Sequence, residues 1–150
     1  MPDLDDLYQE LILDHYRRPR NRGRLEDASG RAEGYNPLCG DRVTVFVKLD
    51  GDVVRDVKFE ASGCAISTAA ASLMSEAVRG KSLAEARALF RKFHGMVTGA
   101  QPPGNNGPEL GKLEVFGGLN QYPARVKCAT LAWHTLDAAL ENRHETVTTE

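Results

Sequence analysis

Val43, Val45, Val47 and Leu49 alternate with Arg42, Thr44, Phe46 and Lys48, and Val57, Phe59 and Ala61 alternate with Lys58 and Glu60. That period of two marks strands buried on one face. Between them Asp50-Gly51 is a hairpin turn signal, because glycine takes the positive φ such turns need. A lone hairpin is marginal in water, so the rest of the chain must cover this one. The remainder is helical in pattern, which predicts an α+β fold: a small antiparallel sheet covered on one face by helices. Residues 31–38 could supply a third strand.

Leu4, Leu7, Leu11 and His15 recur at helical spacing, with Tyr8 and Ile12 widening the stripe. Aspartates crowd the start of that segment and Pro19 marks its end, as the helix dipole and proline sterics favour. From Ala65 to Met74 the chain is small and alanine-rich, a tightly packed helix closed by Gly80. Ser82-Leu83-Ala84-Glu85 is a capping box that opens another helix, to about Phe93. Glycines and prolines crowd residues 95–122, which are expected to be largely loop with one helical turn near 110–116. Pro123 opens a final helix with the stripe Val126, Ala129, Trp133, Leu136 and Leu140, and the tail 143–150 should fray. At 150 residues, without repeat or linker, the chain is expected to form a single domain, 1–150.

Composition excludes several roles. Hydrophobic residues at 41% and charged residues at 27% are ordinary for a soluble globular chain. A formal net charge of -2 argues against a generic nucleic-acid binder, which needs clustered positive charge. No apolar run approaches the ~18 residues a membrane span needs, and the acidic N-terminus carries no export signal. The expected setting is therefore cytoplasmic, with neither nucleic acid nor membrane as partner. One basic cluster, Arg17-Arg18-Pro19-Arg20-Asn21-Arg22, is either a solvated surface or a partner-docking patch. The glycine-rich 99–107 stretch lacks the strand–loop–helix context of a phosphate cradle. His15 falls on an apolar helix face, His94 at a helix end, and His134 and His144 read as structural or exposed.

Three cysteines cannot all pair internally, and thiols in a reducing compartment serve metal binding or thiol chemistry. Cys39 lies in Pro37-Leu38-Cys39-Gly40-Asp41, where a carboxylate two residues from a thiol can reach the same ion. Cys64 follows Gly63 at a helix start, where the dipole and free N–H groups favour thiolate. Cys128 sits on the last helix, outside its apolar stripe. No C-x-x-C pair fixes two ligands locally, so packing cysteines remain the alternative. Taken together, three thiolates and a carboxylate suit tetrahedral Zn²⁺, or the iron of an Fe–S cluster. Their negative charge would benefit from Arg42, Arg125 or Lys127, and Asp41, as the harder ligand, is the weak point.

These residues fall in motifs. Arg17-Arg18-Pro19-Arg20-Asn21, Asn36-Pro37-Leu38-Cys39-Gly40-Asp41, Ser62-Gly63-Cys64-Ala65-Ile66-Ser67 and Val126-Lys127-Cys128-Ala129 occur in the family's order. On them the chain resembles the IscU/SufU (NifU N-terminal-like) family of iron–sulfur cluster assembly proteins. In the scaffold branch a histidine precedes the third cysteine; here that position is Lys127, which while protonated cannot be a ligand. The 96–122 segment is also longer than in that branch, and both departures resemble SufU. The resemblance implies zinc held by Cys39, Asp41, Cys64 and Cys128. It further implies Cys39 as acceptor of sulfur from a SufS-like cysteine desulfurase, with downstream iron–sulfur assembly proteins as further partners. The alternative it leaves open is a scaffold carrying a transient Fe–S cluster at the same site.

Overall fold

The computed structural model describes residues 4–99, 109–142 and 147–148, with the backbone alone for residues 4–7. In chain order the elements are α1 (Leu4–Arg17), β1 (Gly30–Asn36), β2 (Asp41–Asp50), β3 (Val53–Ser62), α2 (Ala65–Val78) and α3 (Leu83–Thr98). A 3₁₀ segment (Gly111–Gln121), α4 (Pro123–Leu140) and β4 (Val147–Thr148) follow. The strands lie in the order β3-β2-β1-β4.

The expected hairpin is present, with Val43 opposite Ala61, Val45 opposite Phe59 and Val47 opposite Val57. A register shift between Lys48 and Leu49 brings Val54 opposite Leu49, so Val54 joins the core as well. β1 is the third strand, antiparallel to β2, and begins one residue earlier than expected. β4 adds a two-residue parallel pairing on Gly34 and Tyr35. The sheet is thus mixed at that edge, and Val147–Thr148 takes part in it although the tail was expected to fray.

Inward positions of β1 are Gly30, Ala32, Gly34 and Asn36, none of them bulky. Small residues let α4 lie directly on the strand: a Cβ on Gly34 would overlap the Thr135 hydroxyl. α2 and α4 pack on the sheet and on each other, which explains why both are buried nearly all round. Trp133, fully buried on α4, stacks with both Phe90 and Phe93 of α3, at 5.8 and 5.3 Å, and Phe116 meets Phe93 edge-on.

The capping box opens α3 as expected, with Glu85 N–H donating to Ser82 Oγ at 3.1 Å and Ser82 N–H to Glu85 Oε1 at 3.2 Å. α3 then runs past Phe93 and His94, because Met96 and Val97 are buried in the core, and stops at left-handed Gly99. The 3₁₀ segment is longer than the single turn expected and buries Leu113, Val115 and Phe116. Most of the 99–107 stretch, and His144, lie outside the described residues.

His15 is fully buried, its Nδ1 2.7 Å from Ser72 Oγ on α2. The same hydroxyl accepts from Arg20 N–H at 2.9 Å, and Asn21 Nδ2 donates to Ser75 Oγ at 3.0 Å. From there the chain runs along β3: Phe59 N–H donates to Asn21 O at 3.1 Å, and Gly23 N–H to Phe59 O at 2.8 Å. The outer rim of β3 is therefore paired at Phe59, and at Val54 by Gly80 and Lys81. Among the described residues no helix is long and apolar enough to cross a membrane.

Candidate metal centre

Two junctions between elements, the β1–β2 turn and the β3–α2 connection, meet α4 at one end of the sheet. The β1–β2 turn spans residues 37–40 and carries Cys39, exposed, near its tip. Asp41 is the first residue of β2 and fully buried, because it sits on the inward side of the strand. Where β3 ends, Gly63 runs beside Asp41 and leads into Cys64, the N-cap of α2. The φ of Gly63 is +136°, and any Cβ there would collide with the Asp41 carboxylate. Glycine is required on both counts.

Sulfur and oxygen atoms crowd this corner. Cys128 on α4, fully buried, lies 3.4 Å Sγ to Sγ from Cys39. One donor atom each from Cys39, Asp41 and Cys128 fall within 4.8 Å of one another. Cys64 is not in that three-way group, but its Sγ is 3.7 Å from Asp41 Oδ2. All four expected residues therefore meet, although Cys128 was expected outside the apolar stripe; α4 is buried on that side too.

Asn36, the last residue of β1, is the member that sequence reasoning left without a role. Its buried amide donates to Asp41 Oδ2 at 3.2 Å and to Cys128 Sγ at 3.5 Å, while Leu38 N–H donates back to its Oδ1 at 3.3 Å. An Asn-Pro pair at the mouth of a turn was the available signal. Asp41 Oδ1 accepts from Cys64 N–H at 2.8 Å, which locks the carboxylate against the head of α2.

The thiols polarise one another. Cys64 is pulled down to about 7, chiefly by a hydrogen bond from Cys128 and further by the Ser67 N–H at 3.4 Å, with burial opposing. Cys128 is pushed up by Cys64 first and by burial second. Arg125, exposed on the first turn of α4, is raised by its hydrogen bond with Cys128 and by the charges of the other two thiols. Arg42, another of the expected cations, lies over the Tyr35 ring at 4.5 Å. Three thiols and one carboxylate, gathered and partly desolvated with a cation at the rim, fit a four-coordinate, sulfur-preferring divalent ion.

Comparison with known proteins agrees with this geometry. The family model described as "NifU-like N terminal domain" matches residues 7–129. The zinc-dependent sulfurtransferase SufU of Bacillus subtilis is 44% identical over 135 residues, covering 90% of each chain. The iron–sulfur cluster assembly scaffold protein IscU of Streptococcus pyogenes is 41% identical, over 92% of this chain and 85% of that one. Among solved structures, a candidate scaffold protein for the SUF system from Fervidobacterium islandicum superposes with a TM-score of 0.81 at 37% identity. That match covers 92% of this chain and 99% of the other. By sequence, fold and cysteine placement, the chain belongs to the NifU-like N-terminal domain family, together with the SufU and IscU proteins.

Proposed function

We propose that the chain is a cytoplasmic, zinc-dependent sulfur acceptor of iron–sulfur cluster assembly, with Cys39 taking persulfide sulfur from a cysteine desulfurase. The observation that carries this reading is the inequality of the three thiols. Cys39 is exposed on a turn, while Cys128 is buried and Cys64 is half-buried at a helix cap. Of the three, the exposed turn cysteine offers a macromolecular donor the most open approach. The similarity to a relative named as a zinc-dependent sulfurtransferase supports it.

Cys39, Asp41, Cys64 and Cys128 would hold the zinc, which when bound keeps thiols ionised at neutral pH. Asn36 and the Cys64 N–H orient Asp41, and Asn36 also faces Cys128. In transfer, the Cys39 thiolate attacks the terminal sulfur of the donor's Cys–S–SH. The S–S bond breaks, the donor cysteine leaves as thiolate, and Cys39 becomes the persulfide with the proton retained on its terminal sulfur. Gly40, with φ +71° and nothing within 4 Å of a virtual Cβ, leaves the turn tip sterically open for this approach.

The test is mass spectrometry after incubation with desulfurase and cysteine, alongside metal analysis of the purified chain. About one zinc per chain, and a gain of sulfur on Cys39 that Cys39→Ala abolishes, is the expected result. Undiminished sulfur uptake by Cys39→Ala would sink the assignment. The relatives named as IscU scaffolds favour a second reading, in which the same donors carry an iron–sulfur cluster as cargo. That reading predicts a chromophore after anaerobic reconstitution that passes to an apo-acceptor.

A further inference from the structure

The arginine-rich segment after α1 has no part in the metal centre. Residues 17–24 contain five arginines, in a chain whose formal net charge is -2. Two are neutralised within the chain, Arg20 on Asp14 at 2.6 Å and Arg24 on Glu60 at 2.8 Å. Arg17, Arg18 and Arg22 are exposed, and none forms an ion pair with a described residue. The backbone beneath them is pinned to α2 through Ser72 and Ser75 and to β3 through Phe59. Like charges held on a fixed backbone repel one another, and an anionic surface relieves that repulsion.

Position supplies the second argument. Arg22 bridges Phe59 on β3, three residues from Ser62 where the strand runs into the Cys64 corner. That is roughly 10 Å along the strand. A protein interface of ~800 Å² per partner is roughly 30 Å across, so one partner can cover both places. Asp14, Glu26 and Glu60 stand among the arginines, which disfavours a continuous polyphosphate and suits a discrete acidic patch.

We propose that Arg17, Arg18 and Arg22 form a docking shelf for an acidic surface on the sulfur-donating desulfurase; this rests on the sulfur-acceptor reading above. The shelf acts on encounter and orientation and leaves the chemistry at Cys39 untouched.

The test uses the full, zinc-loaded chain carrying Arg17→Glu, Arg18→Glu and Arg22→Glu together, with Arg91→Glu on α3 as a control. Desulfurase turnover is titrated with each protein at low and high salt. The expected result is a half-saturating concentration raised roughly tenfold or more, a flattened salt dependence and an unchanged maximal rate. Unchanged half-saturation and salt dependence, or a loss of maximal rate alone, overturns the shelf. If the wild-type chain does not stimulate turnover, the sulfur-acceptor reading fails separately, and calorimetric binding to the desulfurase reads the shelf directly by the same criteria. Should the triple reversal fail to fold by circular dichroism, the triple glutamine variant takes its place. Loss of binding to a single-stranded RNA oligomer, with desulfurase binding intact, also overturns the proposal.

Discussion

Asn36 shows how much of the candidate metal centre depends on a side chain outside the proposed ligand set. Its amide is buried and bonds both Asp41 and Cys128. Asn36→Ala leaves a buried carboxylate and thiol without that donor, which should cost about 1–3 kcal/mol of stability. We expect a lower thermal midpoint and faster loss of zinc to a chelator; a variant with unchanged metal retention would mean Asn36 only shapes the turn. At this scale the sequence was partly legible. Cys39, Asp41 and Cys64 were readable because a turn, a strand start and a helix cap each carry local signals. Asn36 announced only a turn, through Asn-Pro, because half of its role is a contact with Cys128, 92 positions away. The burial of Cys128 was hidden for a related reason: periodicity locates one buried face, and α4 is enclosed on several.

Between elements, the tightest constraint is the approach of α4 to β1. Gly34 faces Thr135 with no space for a further carbon, so Gly34→Val must push the helix off the strand. Overpacking of this kind typically costs about 1–3 kcal/mol. The expected outcome is a lower denaturant midpoint with the far-ultraviolet signature of the helices retained; an unchanged midpoint would show that the helix moves freely there. The same geometry explains why β1 was only a suggestion in the sequence. Its inward residues are Gly, Ala, Gly and Asn, so the alternation that announces β2 has no hydrophobic amplitude in β1. Gly95 likewise concealed the last turn of α3, where buried Met96 and Val97 outweigh the low helix propensity of glycine.

For the molecule as a whole, stability should follow the buried imidazole at the α1–α2 joint. Burial, and then the charge of Arg20, hold His15 below its usual 6.5, with Glu76 and Asp14 pulling it up and Lys112 adding to the fall. His134 is lowered as well, by burial and then by His94, against Asp137. The unfolded chain therefore takes up protons near pH 6.5 that the folded chain accepts only at lower pH. Stability is fully present above that pH and declines as the pH falls through it. Denaturant unfolding at about pH 7.5 and about pH 5.5 should show the lower midpoint at the acid end, with a smaller drop in His15→Gln. An identical drop in that variant would place the sensitivity elsewhere.

The two rims of the sheet are closed by unlike means: Asn21–Gly23 lies along β3, and Val147–Thr148 along β1. Neither is a long strand, and an unpaired rim is a template for other chains. Among the described residues, the β1 side is held by two residues against a seven-residue strand. Detachment of so short a piece would expose a ready partner for an extended segment of a second molecule. So brief a pairing thus bears on whether copies of this protein stay apart at high concentration.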